Sequence, residues 1–92
     1  SDIFVPSAFT PNNDGRNDLL RPFLPRSYIL EEFSIYNRWG QPVYRTSQTG
    51  EGWDGKIAEV VQDSGVYIWM LKARDSITGI IHERKGHFTL IR

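Results

Sequence analysis

Cysteine is missing from this chain, and neither sign of charge is in excess. Without cysteine there is no disulfide and no thiolate metal site, and the count fits any redox compartment. Eleven Lys and Arg residues balance eleven Asp and Glu residues, so the net charge does not draw the chain to nucleic acid or to an anionic membrane surface. We therefore expect neither nucleic acid nor membrane insertion among its interactions.

Long apolar runs are also absent. No run approaches the roughly 20 residues that span a bilayer, and the chain does not begin with the pattern of a signal peptide. It opens instead on Ile3-Phe4-Val5, which has the composition of a strand. At 92 residues we expect one domain over 1–92, excised from a larger protein whose other part supplies any signal peptide.

Aromatic residues and turn residues are what the chain has in number. Its five Phe, four Tyr and three Trp suit a chain with room for one core, because each buried ring removes much apolar area from water. Short apolar runs are broken by Pro, Gly, Asn and Asp at intervals that leave little room for helices. We expect an all-β fold, a single immunoglobulin-like antiparallel β-sandwich of about seven short strands.

The strongest local pattern is a β-hairpin over 33–44. Phe33 and Ile35 share one side of its first strand, and Gly40 supplies the positive φ that a tight reversal needs. A polar loop is expected over 6–18 and a turn over 75–79. Strands are predicted at 3–5, around 19–23, and at 28–36, 42–46, 57–61, 65–74 and 80–92.

Side-chain alternation also predicts which residues of the two last strands face the core. In 65–74 polar residues occur only at even positions, so the odd positions are expected to be buried, and in the last strand Phe88 and Leu90 share a face that is expected to be buried. A glycine inside a strand pattern often marks a bulge, and we expect one at Gly86. The residues predicted to face the core are Tyr67, Trp69, Leu71, Ala73, Phe88 and Leu90.

No group of side chains has the pattern of a catalytic site. His82 and His87 lie five positions apart on a predicted strand, so they point to opposite faces unless a bulge re-aims one of them. Glu31 and Glu32 diverge for the same reason, and no serine lies in a nucleophile elbow. We expect no enzyme activity, no cofactor and no metal site.

Two binding alternatives stay open. The stretch 11–18 is rich in Asn and Asp, like part of a calcium loop, but it lacks the closing acidic residue, and Asx-turns also explain its composition. Tryptophans could form a platform that stacks on sugars; Trp39 and Trp53, beside glycines at turns, are expected instead to fold over the sandwich edge and pack. The alternative function is therefore a surface carbohydrate- or calcium-binding β-sandwich module.

Five motifs in order resemble the gliding-motility-associated C-terminal domain family. They fall at 9–18, 36–44, 53–55, 65–67 and 85–92 and span nearly the whole chain. This family is similar to the type B C-terminal sorting domain of the type IX secretion system in Bacteroidota. The chain departs from the family after residue 55, where the family tends to carry another glycine and prolines. The turn residues shared with the family are Asn12, Asp14, Gly15, Asn17, Asp18, Asn37, Arg38, Trp39, Gly40, Trp53, Asp54 and Gly55.

The resemblance implies that the domain is a signal for protein export and that it does not catalyse a reaction. It implies a domain at the end of a larger cargo, read by an outer-membrane type IX channel and its dedicated partner protein. We expect a monomer, since nothing in the sequence demands a larger assembly. The cargo would travel through the periplasm to the surface of a Gram-negative cell or to the medium. A partner could pair with the final strand or cover it, or the strand could only complete the sandwich. The residues expected in recognition are Lys85, Gly86, His87, Thr89, Leu90, Ile91 and Arg92.

Overall fold

Seven strands and no helix lie within the residues that the computed structural model describes, 3–11 and 19–91. The all-β prediction is confirmed, and so is the number of strands. In the same residues there is no helix long and apolar enough to span a membrane. The strands are β1 (Ala8–Phe9), β2 (Tyr28–Tyr36), β3 (Pro42–Thr46), β4 (Lys56–Ile57), β5 (Val60–Val61), β6 (Gly65–Asp75) and β7 (Ile81–Leu90).

Five strands form the main sheet, in the order β1-β7-β6-β2-β3. Four of them pair antiparallel, as expected, and the hairpin of β2 and β3 is confirmed. The first strand differs because β1 pairs parallel with β7, with Ala8 opposite Thr89 and Phe9 opposite Leu90. The sequence placed Ala8 and Phe9 in a polar loop, since two residues are too few to show alternation.

Segments outside the main sheet cover its inner face and complete the sandwich. The strands predicted at 3–5 and 19–23 are wrong as regular strands, because these segments make only isolated antiparallel bridges. Phe4 bridges to Phe23, and Leu20 bridges to Trp53. Pro22 lies between the two bridging residues of the second segment. Proline has no backbone N–H to continue a ladder, which accounts for the short pairing.

The core lies between these segments and the main sheet. Trp53 is central, with its ring 5.2 Å from that of Tyr67 and 5.9 Å from that of Phe9. The inward parity predicted for β6 and β7 is confirmed, with Trp69 half-buried at the rim of the core. The buried hydrophobic residues are Phe9, Leu20, Leu30, Phe33, Ile35, Trp53, Tyr67, Leu71, Ala73, Phe88 and Leu90.

The bulge predicted at Gly86 is wrong. Gly86 pairs in regular register with Trp69, and the indole of Trp69 lies over it. A Cβ at position 86 would approach Trp69 Cζ2 to 2.9 Å, so the glycine provides room for a ring. The irregularities of the main sheet lie instead in β2, between Leu30 and Glu32 on the side of β6 and between Ile35 and Tyr36 on the side of β3.

The strand predicted at 57–61 is instead a small hairpin of β4 and β5. Ala58 and Glu59 form its turn with φ of 49° and 71°, the positive values of a tight hairpin turn. Alanine and glutamate do not predict such a turn, because glycine and asparagine are the residues usually found at these positions.

Candidate partner-recognition site

One end of the main sheet brings together segments that are distant in sequence. Gly65, the first residue of β6, pairs with Leu90 at the end of β7. Tyr36, the last residue of β2, pairs with Ile68 nearby on β6. The turn at 37–41, called here the Trp39 turn, therefore lies at the same end of the sheet as the carboxyl-terminal residues.

The carboxyl-terminal residues alternate between core and surface. Phe88 and Leu90 point inward and are fully buried. His87 is exposed, Thr89 is half-buried, and Ile91 is 46% exposed. Because strand residues alternate between faces, the same segment that fixes the end of the chain in the core also displays side chains.

The backbone at the end of β7 is already paired on its outer side. The N–H of Thr89 donates to the carbonyl of Ser7 at 2.8 Å. The N–H of Ile91 donates to the carbonyl of Phe9 at 3.0 Å. Strand addition by a partner at 88–91, as the sequence suggested, is therefore contradicted, since β1 occupies that edge. Over 81–87 no strand of the described residues lies on the outer side of β7.

The Trp39 turn is held by the side chain of Asn37. Its Oδ1 accepts the backbone N–H of Trp39 at 3.0 Å and that of Gln41 at 2.9 Å. Its Nδ2 donates to Oε1 of Gln41 at 2.9 Å. Gly40 adopts a φ of 83°, as predicted, and donates its N–H to the Asn37 carbonyl at 2.9 Å. This bonding fixes the turn without using the side chain of Trp39.

Trp39 itself is 71% exposed, so the prediction that it packs over the sandwich edge is wrong. Trp39 lies in the turn beyond the strand ends at Tyr36 and Pro42. The guanidinium carbon of Arg38 lies 4.4 Å from its centroid, a cation–π contact on one face. The prediction relied on the position of Trp39 beside a glycine at a turn. That position does not determine whether the side chain points toward the sandwich or toward solvent.

Trp53 behaves as predicted and is 1% exposed. Its indole Nε1 donates to the carbonyl of Lys56 at 3.0 Å, and its ring lies 6.2 Å from that of Phe88. Asp54 Oδ1 accepts the N–H of Lys56 at 3.0 Å, and Gly55 has a φ of 82°. These three residues thus position a ring that supports β7 from inside, and they do not form a surface for binding.

The tryptophans do not form a shared platform for sugars. Trp53 is buried and Trp69 covers Gly86, which leaves Trp39 as the one widely exposed ring of the three. Beside the Trp39 turn is a shallow cavity of about 90 Å³, which the turn lines together with 62–67. Small-molecule sites usually measure at least about 300 Å³, so this cavity does not fit such a ligand.

Within the described part of the chain, the titratable groups form no evident chemical centre. No three of the His, Asp and Glu side chains within 3–11 and 19–91 lie close enough to hold a metal ion. His82 packs against Tyr28 with ring centroids 5.3 Å apart, while His87 is exposed. Burial raises the pKa of the Tyr44 phenol above its ordinary value of 10.0, so this group stays protonated at neutral pH.

Some of the predicted site residues lie outside the described residues. The calcium alternative rests on the stretch around 12–18 and belongs to this group. So do Asn12, Asp14, Gly15, Asn17, Asp18 and the terminal Arg92.

The fold is a β-sandwich whose main sheet brings the Trp39 turn and residues 87–91 to the same end. The family model of the type IX secretion signal domain, CHU_C, matches residues 3–90. The chain therefore belongs to the type IX secretion signal domain family, and the resemblance found in its motifs is confirmed. Membership implies contact with the secretion machinery, attachment to a cargo polypeptide and export to the cell surface or the medium.

A solved structure has the same fold. It is PorZ of the human oral bacterium Porphyromonas gingivalis, described as an essential bacterial surface component of the type IX secretion system. The TM-score is 0.61 at 20% sequence identity, over 98% of this chain and 11% of the PorZ chain. At this identity the likeness concerns the fold alone, and the chain corresponds to a small part of PorZ. A search among curated proteins gave no significant match.

Proposed function

We propose that residues 1–92 form a single non-catalytic domain that directs a larger cargo, attached at its amino end, through an outer-membrane type IX channel. The match of the family model to residues 3–90 carries this proposal. The cargo passes through the periplasm of a Gram-negative cell and is delivered to the cell surface or the medium. The domain acts as a monomer, and a dedicated partner protein reads it together with the channel.

The terminal segment is the part that the partner reads, and its residues divide into two roles. His87 and Ile91 are exposed and Thr89 is half-buried, so their side chains are accessible to a partner. Lys85 extends this surface along the exposed part of β7. Because β1 already bonds the backbone at Thr89 and Ile91, recognition there uses side chains rather than strand addition.

Other members of the predicted recognition set act as supports. Leu90 is fully buried and holds the segment in the core. Gly86 leaves room for the indole of Trp69, which lies over the strand. A partner that contacts the displayed side chains therefore depends on these two residues for the position of the segment rather than for direct contact.

The test is export of a reporter that carries a signal peptide and ends in residues 1–92, in a type IX-competent bacterium. Replacing the three displayed side chains, in the variant His87→Ser/Thr89→Ala/Ile91→Ser, leaves the buried residues intact. We expect the surface-exposed fraction of the reporter to fall at least about tenfold, as when several contacts of a recognition surface are lost. Protease accessibility on whole cells measures that fraction.

The matched control changes outward residues at the other end of the same strand, in the variant Ile81→Ser/Glu83→Ala. This control should be exported like the wild type. Deleting 85–92 is less informative, because it also removes Phe88 and Leu90 from the core. Normal export of the triple variant, with an unchanged melting temperature, would show that the terminal segment is not read.

A further inference from the structure

The Trp39 turn displays a large ring that the fold does not use. Trp39 is 71% exposed, and the hydrogen bonds that hold the turn involve only its backbone. An indole in water gives up favourable burial, so this largely exposed tryptophan on a fixed turn adds little to the stability of the domain itself. Tryptophan and arginine, the pair found here, are enriched among residues that dominate protein–protein binding.

The turn is also prepared for binding before any partner arrives. The Asn37 side chain accepts the backbone N–H groups of Trp39 and Gln41, and it also donates to the side chain of Gln41. Arg38 stacks on the indole at 4.4 Å, which restricts both side chains. Groups that are already ordered lose less conformational entropy when a partner covers them.

A continuous surface joins this turn to the terminal segment. On the outward face of the main sheet, Tyr36 lies opposite Ile68, and Ile68 lies opposite His87. In the next row Val66 lies opposite Thr89. Neighbouring strands are about 4.8 Å apart, so this row crosses from β2 to β7 in about 10 Å. Val66 and Ile68 are 49% and 39% exposed, which makes the joining surface apolar.

We propose that the Trp39 turn is a second contact for the same protein partner that reads the terminal segment. The partner would offer an apolar slot for the indole and a carboxylate beside it for Arg38, which has no ion-pair partner among the described residues. This inference rests on the proposed function and adds a second contact point to it. A protein fits better than a glycan because Arg38 covers one face of the ring and no second exposed tryptophan extends a stacking platform.

The experiment compares Trp39→Ala with Ile77→Ala in the export reporter. Ile77 is 81% exposed in the turn between β6 and β7, at the opposite end of the main sheet, and is therefore a matched control. We expect Trp39→Ala to lower the surface-exposed fraction at least about tenfold with little change in melting temperature, the effect of losing a binding hot spot. Ile77→Ala should leave both quantities unchanged.

A second variant covers the case in which Trp39→Ala lowers stability. Arg38→Glu keeps the indole and reverses the charge, and it should reduce export strongly if a carboxylate of the partner faces it. Trp39→Phe should retain part of the export that Trp39→Ala loses.

The outcomes separate this inference from the proposed function. If the wild-type reporter stays in the periplasm, the proposed function fails. If it is exported and Trp39→Ala and Arg38→Glu are exported equally well, the second contact is wrong. Tryptophan fluorescence of the purified domain that changes on adding cell-surface polysaccharide, with export of both variants unaffected, would assign the turn to glycan binding and would also overturn the inference.

Discussion

At Gly86 the absence of a side chain on one strand leaves room for the indole of Trp69 on the next. A glycine in a strand marks either a bulge or a close approach by another group, and the sequence pattern is the same in both cases. Here the indole of Trp69 on the neighbouring strand packs over the glycine, and the strand stays regular. The sequence also does not show the orientation of Trp39, because that orientation depends on where the strands end rather than on local residue types.

Gly86→Ala tests the contact with the Trp69 indole. The new Cβ would lie 2.9 Å from Trp69 Cζ2, so either the ring or the strand must move. We expect a loss of about 1–3 kcal/mol in the free energy of unfolding, typical of overpacking. Urea denaturation of the purified domain measures it.

The control for this substitution is the same change in a Trp69→Phe background. A phenyl ring lacks the outer part of the indole that would clash, so the cost of Gly86→Ala should be smaller there. An equal cost in both backgrounds would contradict the contact and would point to backbone conformation instead.

The longer strands were predicted more accurately from the sequence than the short ones. β2, β3 and β6 were predicted closely because their alternation continues over several residues. β1, β4 and β5 have two residues each and show no period, so the parallel pairing of β1 was not predictable. This strand matters for the site, because it occupies the outer edge of β7 at 89–91, whereas no strand of the described residues pairs with that edge over 81–87.

Glu83 and Lys85 lie on the part of β7 with which no described strand pairs on the outer side, and their charges suit such an edge. Unpaired strand edges promote association between chains, and charged side chains on the edge oppose it. We expect Glu83→Val/Lys85→Val to self-associate at a concentration at least about tenfold lower than the wild type does, because an apolar edge strand pairs readily. Light scattering over a concentration series measures this.

Lys72→Val supplies the comparison for that prediction. Lys72 lies on the same sheet opposite Glu83, but its strand is interior and has no free edge. This variant should remain as monomeric as the wild type. Equal association of both variants would indicate that outward apolar area, rather than the strand edge, drives the effect.

For the molecule as a whole, the core and the displayed surface are parts of one arrangement. The rings of Trp53, Tyr67 and Phe88 pack together with centroids 5.2–6.2 Å apart, directly behind the end of β7. The displayed side chains keep their positions only while this core is intact, so we expect recognition to require the folded domain. The motif order predicted the family, whereas the surface shared by the Trp39 turn and β7 emerges only when the strands are paired.

The most direct measurement is the location of a signal-peptide reporter ending in residues 1–92, in type IX-competent cells and in otherwise identical cells that lack the outer-membrane channel. We expect protease-accessible reporter on the surface or in the medium of the competent cells, and periplasmic reporter in the channel-deficient cells. Periplasmic reporter in both strains, or surface reporter in both, would contradict the role of this domain as a type IX export signal.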